Sequence, residues 1–129
     1  MERARVSFPA RWEDGGVLVV DVVGEFDEGA AAELCGLLTR MARTGQQVFV
    51  VDFTGAERCD IGAARAFVRA SLEAEAMSGD GFLAVVASAV VRSALYTAAA
   101  DCLSGGVHGS VTDAVEAYWA PEGLGERAS

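Results

Sequence analysis

The chain has 129 residues and a formal net charge of −9. That length fits one domain, and that charge excludes a nucleic-acid backbone as a partner unless the basic residues cluster. They do not cluster: Arg3, Arg5 and Arg11 are scattered among acids, and Arg40 and Arg43 close a predicted helix, where they complement its dipole. A hydrophobic fraction of 52%, with only two prolines, argues for one packed core and against a disordered or fibrous chain.

Val6, Phe8 and Ala10 alternate with polar residues, as an edge strand does. Asp14-Gly15-Gly16 is a turn signal, and residues 17–23 form a β-branched run interrupted by Asp21. Together these predict a hairpin whose second strand is buried on both faces. Gly24-Glu25-Phe26-Asp27 leads into a helix over 28–43, with Ala31, Leu34, Cys35, Leu38, Met41 and Ala42 at helical spacing, Asp27 as cap and Gly45 at the exit. Residues 47–53 form a second buried strand. A helix over 61–77 has Ile61, Ala64, Phe67, Val68, Ser71, Leu72 and Glu75 near one face. A third buried strand covers 82–87, and Ser88 caps a helix over 89–100. A short strand near Val107 and His108 precedes a last helix opened by Ser110, which Pro121 stops.

The order β-β-α-β-α-β-α-β-α implies an α/β fold. Its sheet is expected to be mostly parallel and four- to five-stranded, opened by an N-terminal β-hairpin and joined by about four helices. Right-handed crossovers between neighbouring strands would place the helices on one face. Leu38 and Val50 then fall in one shared core. The domain is expected to span 1–120, followed by a flexible C-terminal tail over 121–129.

Catalytic chemistry is hard to find. His108 lies between glycines with no nucleophile motif nearby, no GxGxxG follows a strand, and no GxxxxGK[ST] occurs. Asp52, at the carboxyl end of a central strand, stands where α/β domains place ligands, but strand-end capping explains it equally. Cys35, Cys59 and Cys102 have no metal-ligand spacing and read as small buried thiols. An odd cysteine count, no apolar run at residues 1–5 and no apolar run of membrane-spanning length predict a cytoplasmic protein with no membrane association. No enzyme activity, cofactor or metal is expected.

The stretch Val51-Asp52-Phe53-Thr54-Gly55-Ala56-Glu57-Arg58-Cys59-Asp60-Ile61-Gly62-Ala63-Ala64 resembles the central segment of STAS domains. Those read hydrophobic-Asp-hydrophobic-Ser-Gly, a few residues, then Asp-Ser-Ser/Ala-Gly-Leu at a helix start. Gly24-Glu25-Phe26-Asp27 is similar to that family's Gly-Glu-Leu-Asp, Ala87 through Arg92 to the opening of its third helix, and Ser110 through Ala117 to its last helix. The resemblance covers residues 6–119 and points to the bacterial anti-sigma factor antagonists. It implies the STAS fold and a regulatory role in transcription: binding an anti-sigma factor or a histidine-kinase-like ATPase switch protein. It also implies control by phosphorylation of a serine just after the loop Asp.

The pattern breaks at that serine. Asp60 takes the loop Asp position, Ile61 the phosphoacceptor position and Gly62 the next hydroxyl position; one deletion puts Gly62 on the family glycine and still leaves no serine. Ile61 has no hydroxyl to phosphorylate. The expected partner surface is Asp27, Asp60, Ile61 and Gly62. Asp27 and Asp60 each read as a helix cap, a role compatible with partner contact, and Ile61 either points outward as an anchor or packs on the sheet. The first expectation is therefore a non-catalytic protein-binding domain without the phosphorylation switch. The alternatives are a structural subunit of a multi-protein STAS assembly, with homodimer or other STAS contacts, and a small-molecule sensor with its ligand near Asp52 and Thr54.

Overall fold

Residues Val17 to Val20 carry no polar side chain, and all four are buried. A strand can bury consecutive residues only if both faces are covered, and that condition organises the fold. The computed structural model describes residues 6–13, 15–78 and 81–120; the expected tail at 121–129 and Asp14 of the hairpin turn lie outside them. The strands are β1 (Val6–Ser7), β2 (Ala10–Glu13), β3 (Val17–Asp21), β4 (Val23–Phe26), β5 (Val48–Asp52), β6 (Ala56–Cys59), β7 (Phe82–Val86) and β8 (Gly106–His108). The helices are α1 (Glu28–Arg43), α2 (Ile61–Ser78), α3 (Ala89–Thr97) and α4 (Val111–Trp119).

The main sheet has five strands in the order β2-β3-β5-β7-β8. The β2–β3 hairpin is antiparallel and the remaining pairs are parallel, as the α/β reading requires. Gly15 and Gly16 turn the hairpin with φ of +83° and +82°, a region that L side chains enter at a cost. The Asp21 that interrupts the apolar run accepts two hydrogen bonds from Arg11 at 2.8 and 2.9 Å across the hairpin. That carboxylate also holds the Arg11 guanidinium pKa above its ordinary value, against a smaller opposing effect of desolvation.

Alternate residues of the central strands feed two cores. Leu18, Val20, Phe49, Val51, Leu83 and Val85 pack under α1, α2 and α3. Val17, Val19, Val50, Ala84 and Val86 pack on the other face against Ala114 of α4. The helices therefore do not all share one face. α1, α2 and α3 each link two strands, whereas α4 comes after the edge strand β8, links to no further strand among the described residues, and folds back beneath the sheet. Leu38 and Val50 accordingly belong to separate clusters and not to one shared core.

A second sheet of three strands, β1-β4-β6, went unforeseen. It continues the first. β3 and β5 run side by side past Asp21 and Asp52, linked by Val22 N–H to Asp52 O at 2.8 Å and Gly24 N–H to Gly55 O at 3.1 Å, and become the parallel pair β4–β6. Pro9 ends the predicted first strand early, so Val6–Ser7 joins this small sheet and Ala10–Glu13 joins the main one. The third helix also stops short of its predicted end: Ala99 adopts φ +68° and a 3-10 turn takes over at Ala100–Cys102. Ser88 opens α3 through its carbonyl, which accepts from Arg92 N–H at 3.0 Å, while its hydroxyl makes no capping bond.

Candidate partner-binding site

In the β4–β6 ladder, Phe26 lies opposite Cys59. The next residue on each strand is an aspartate, Asp27 and Asp60, and each opens a helix. Asp60 N–H donates to Phe26 O at 3.1 Å, so the pairing runs one residue beyond the strands and α1 and α2 begin side by side. Two segments over thirty positions apart in sequence are thereby brought to one end of the fold, and all four predicted site residues are among them.

Each has a distinct job. The Asp27 carboxylate accepts Ala30 N–H at 2.9 Å and its carbonyl accepts Ala31 N–H at 2.9 Å, a complete N-cap. Asp60 is only half of one. Its carbonyl accepts Ala64 N–H at 2.9 Å, but its exposed carboxylate turns to Arg58 Nη2 at 3.4 Å. The expected side-chain cap is not made among the described residues. Gly62 lies against Glu28: a Cβ there would come within 2.6 Å of the Glu28 Oε2 atom. Ile61, the first residue of α2, is 45% exposed. It is not on the buried face, which starts with Ala63 and Ala64 and continues through Phe67 and Val68.

What holds these residues is aromatic. Phe26, Phe53 and Phe67 are all fully buried and meet edge to face, with ring centroids 5.1 Å apart for Phe26–Phe53, 5.6 Å for Phe53–Phe67 and 6.3 Å for Phe26–Phe67. Such pairs add about 0.5–1.5 kcal/mol each beyond the area they bury. They tie the end of β4, the end of β5 and the first turns of α2 into one base. Cys59, beside this base, is half-buried and its thiol is pushed up to about 11, first by burial and then by Asp60; it is a packing group and not a nucleophile. Around Ile61 the rim is charged, with Asp27, Glu28, Glu57, Arg58 and Asp60 all exposed.

A family model described as Mlab, STAS domain, matches residues 11–101. The chain belongs to the STAS family. The structure is similar to a candidate anti-sigma factor antagonist of Thermotoga maritima, with a TM-score of 0.67 at 19% identity over 84% of this chain and 92% of that one. It is also similar to an anti-sigma factor antagonist of Mycobacterium paratuberculosis, with a TM-score of 0.63 at 21% identity over 87% and 92% of the two chains. The same fold occurs inside the murine anion transporter solute carrier 26 family member A9, where this chain matches 21% of the larger protein with a TM-score of 0.56 at 17% identity. No curated protein matches the chain.

Within this STAS domain, two other predicted positions have structural roles. Thr54 donates to Asp52 Oδ1 from both its backbone N–H, at 2.9 Å, and its hydroxyl, at 2.7 Å. Both bonds close a local turn on one carboxylate oxygen of Asp52. His108 donates from Nε2 to Gly105 O at 2.6 Å and is half-buried on β8, away from the α1–α2 start. Of the three cysteines, Cys35 and Cys59 are half-buried and Cys102 is exposed, so the expectation of three buried thiols is corrected. Sequence reasoning missed Val90, the second residue of α3, which is 71% exposed. Its neighbour Val91 is buried; the signal available was that Val91, Ala94, Leu95 and Ala98 share a face that Val90 lies beside. No helix among the described residues is long and apolar enough to cross a membrane.

Proposed function

We propose that this STAS domain is a non-catalytic binding module whose partner docks where α1 and α2 begin, on Asp27, Asp60, Ile61 and Gly62. The observation that carries the reading is Ile61: a β-branched apolar side chain, 45% exposed, at the head of a helix and at the position where the family resemblance puts a phosphorylatable serine. An exposed apolar centre within a charged rim, on a rigid aromatic base, is the anatomy of a protein interface. The partner class that suits it is the anti-sigma factor, including those of the histidine-kinase-like ATPase fold. With no hydroxyl at 61 or 62, a serine kinase has no acceptor at the head of the helix, and the interface lacks the usual means of release.

The test uses purified anti-sigma factors of that ATPase fold from the same genome, one at a time, against the immobilised domain. Complete burial of an isoleucine is worth about 1.5–3 kcal/mol, and 45% of Ile61 remains to be covered. Loss of that contact amounts to about 0.7–1.4 kcal/mol, a three- to tenfold rise in Kd for Ile61→Ser. Ile61→Glu places a charge in the apolar centre while agreeing with the helix dipole; it is expected to fold and to lose binding. A folded Ile61→Glu variant that binds like the parent would place the interface elsewhere. If none of these anti-sigma factors binds the parent, the partner class is wrong.

A further inference from the structure

At the opposite end of the fold, a cavity of about 250 Å³ opens between the later turns of α1 and α2, over the amino ends of β5 and β7. Its floor is Leu38, Phe49 and Leu83. Ala74 on the wall leaves the volume open: it is small and exposed. This is not the Asp52–Thr54 end of the strands, where the sequence suggested a ligand.

The lining includes the polar side chains of Thr39, Gln46 and Gln47, and two more, Ser71 and Glu75, lie one helical turn apart on α2. Ser71 is 6% exposed, the one buried polar residue among those described. Its hydroxyl lines the cavity and makes no hydrogen bond to a described residue. Since no buried side-chain oxygen among the described residues is left without a partner, this oxygen is one that the cavity reaches, and a guest there can bond to it. Glu75 is held in place from behind: its carboxylate accepts the Ser104 hydroxyl at 2.7 Å and the Ser104 N–H at 3.2 Å. It is the one charged group among the lining residues. Residues four apart share a helix face, so the wall offers a donor at Ser71 and an acceptor at Glu75.

We propose that this cavity binds a small neutral amphiphile with an aromatic or aliphatic body of about ten heavy atoms and one hydroxyl head, the size following from the ~150 Å³ that suffices for benzene. A hydroxyl is both acceptor and donor, and matches Ser71 and Glu75 together. A carboxylate head is acceptor only and meets the Glu75 charge with no cation in the lining to offset it. An ammonium head can donate to both groups, but a full charge loses more hydration than a hydroxyl does on entering a lining that holds one charged group. The site is independent of the α1–α2 partner surface and is testable on the free domain.

The experiment is a titration of ¹⁵N-labelled protein with 4-propylphenol, 4-propylbenzoate and 4-propylbenzylamine, monitored by amide shifts. The phenol is expected to saturate with a Kd at or below about 1 mM, moving Gln47, Ser71, Gly81 and Leu83 and leaving Asp27 and Ile61 in place. Ser71→Ala should weaken it about fivefold, and Ala74→Phe, which fills the mouth from an exposed position, should abolish it; Ala70→Leu is the second filling variant. No saturable shift up to the solubility of the phenol, or shifts centred elsewhere, overturns the site. Unchanged binding by a folded filling variant does so too. Equal or tighter binding of the benzoate or the amine overturns the ligand class. The shift map of the parent protein decides the matter even if both filling variants unfold.

Discussion

Gly105, between the 3-10 turn and β8, is a position where an added methyl group has nowhere to go. A Cβ built there lies 2.6 Å from Ala84 Cβ and 2.8 Å from both Ala84 Cα and Ala84 N. Two of those three atoms are backbone of β7, which is pinned between β5 and β8, so the neighbour cannot rotate away. Relief requires β8 to move outward by several tenths of an ångström, which stretches the 2.8 Å bond from Gly105 N–H to Leu83 O. Overpacking of this kind costs about 1–3 kcal/mol and the loss of a backbone hydrogen bond about 1 more, giving roughly 2–4 kcal/mol for Gly105→Ala. Gly106 is the internal control. It has φ +73° and nothing within 4 Å of its would-be Cβ, so Gly106→Ala pays only the left-handed conformation, about 1–2 kcal/mol. Urea unfolding monitored by circular dichroism separates the two. With a slope of about 2 kcal/mol per molar, the Gly105 variant should lose about 1–2 M in midpoint, and the Gly106 variant clearly less. A Gly105→Ala protein within about 0.5 kcal/mol of the parent, or one more stable than Gly106→Ala, would refute the steric argument.

Leu38→Ala and Val50→Ala are expected to cost about 2–4 and 1–3 kcal/mol. Because they empty opposite faces of the sheet, the double mutant should show the sum within about 0.5 kcal/mol; a coupling above that would mean the two cores are one. Thiol titration with a disulfide reagent at pH 8 should modify exposed Cys102 first and Cys59 last, since burial and Asp60 push the Cys59 thiol up to about 11. The same shift fixes a sign: the folded chain keeps that proton above the ordinary thiol value of 9.0 while the unfolded chain releases it. Stability therefore falls as pH rises from about 9 towards 11, and a Cys59→Ala protein with an unchanged alkaline limb would contradict this.

The elements that were legible are those with strong internal periodicity. Val17–Val20, Phe49–Val51 and Leu83–Val86 announce strands covered on both faces, and Leu34 and Leu38 mark the buried stripe of α1. β4 and β6 were not legible: Glu25, Glu57 and Arg58 break any alternation, and these strands exist because β3 and β5 carry their pairing past Asp21 and Asp52. The side taken by α4 is set by the position of β8 at the sheet edge, a property of the whole topology that local pattern does not encode. At the candidate site, Asp27 and Asp60–Gly62 were found by motif order, whereas the exposure of Ile61 depends on which turn of α2 first meets the sheet. The cavity left almost no trace, since it is made by what Ala70, Ala74 and Gly81 lack and by residues from four separate elements. Ser71 and Glu75 on an otherwise apolar face were its only visible mark.

The bare isoleucine at the head of α2 bears on how such a complex would be controlled in a cell. A surface that carries a phosphorylatable serine can be emptied while every copy of the protein remains present. Ile61 and Gly62 have no hydroxyl to phosphorylate, so if the proposed complex forms there and no other switch acts on it, its occupancy follows mass action: the fraction of partner held depends on the two copy numbers and the Kd. When both concentrations exceed the Kd, binding becomes a stoichiometric titration, and the partner is free only in so far as its copies outnumber those of this domain. The response is then a threshold in relative synthesis and degradation, set over generations of growth and not within the turnover time of a kinase.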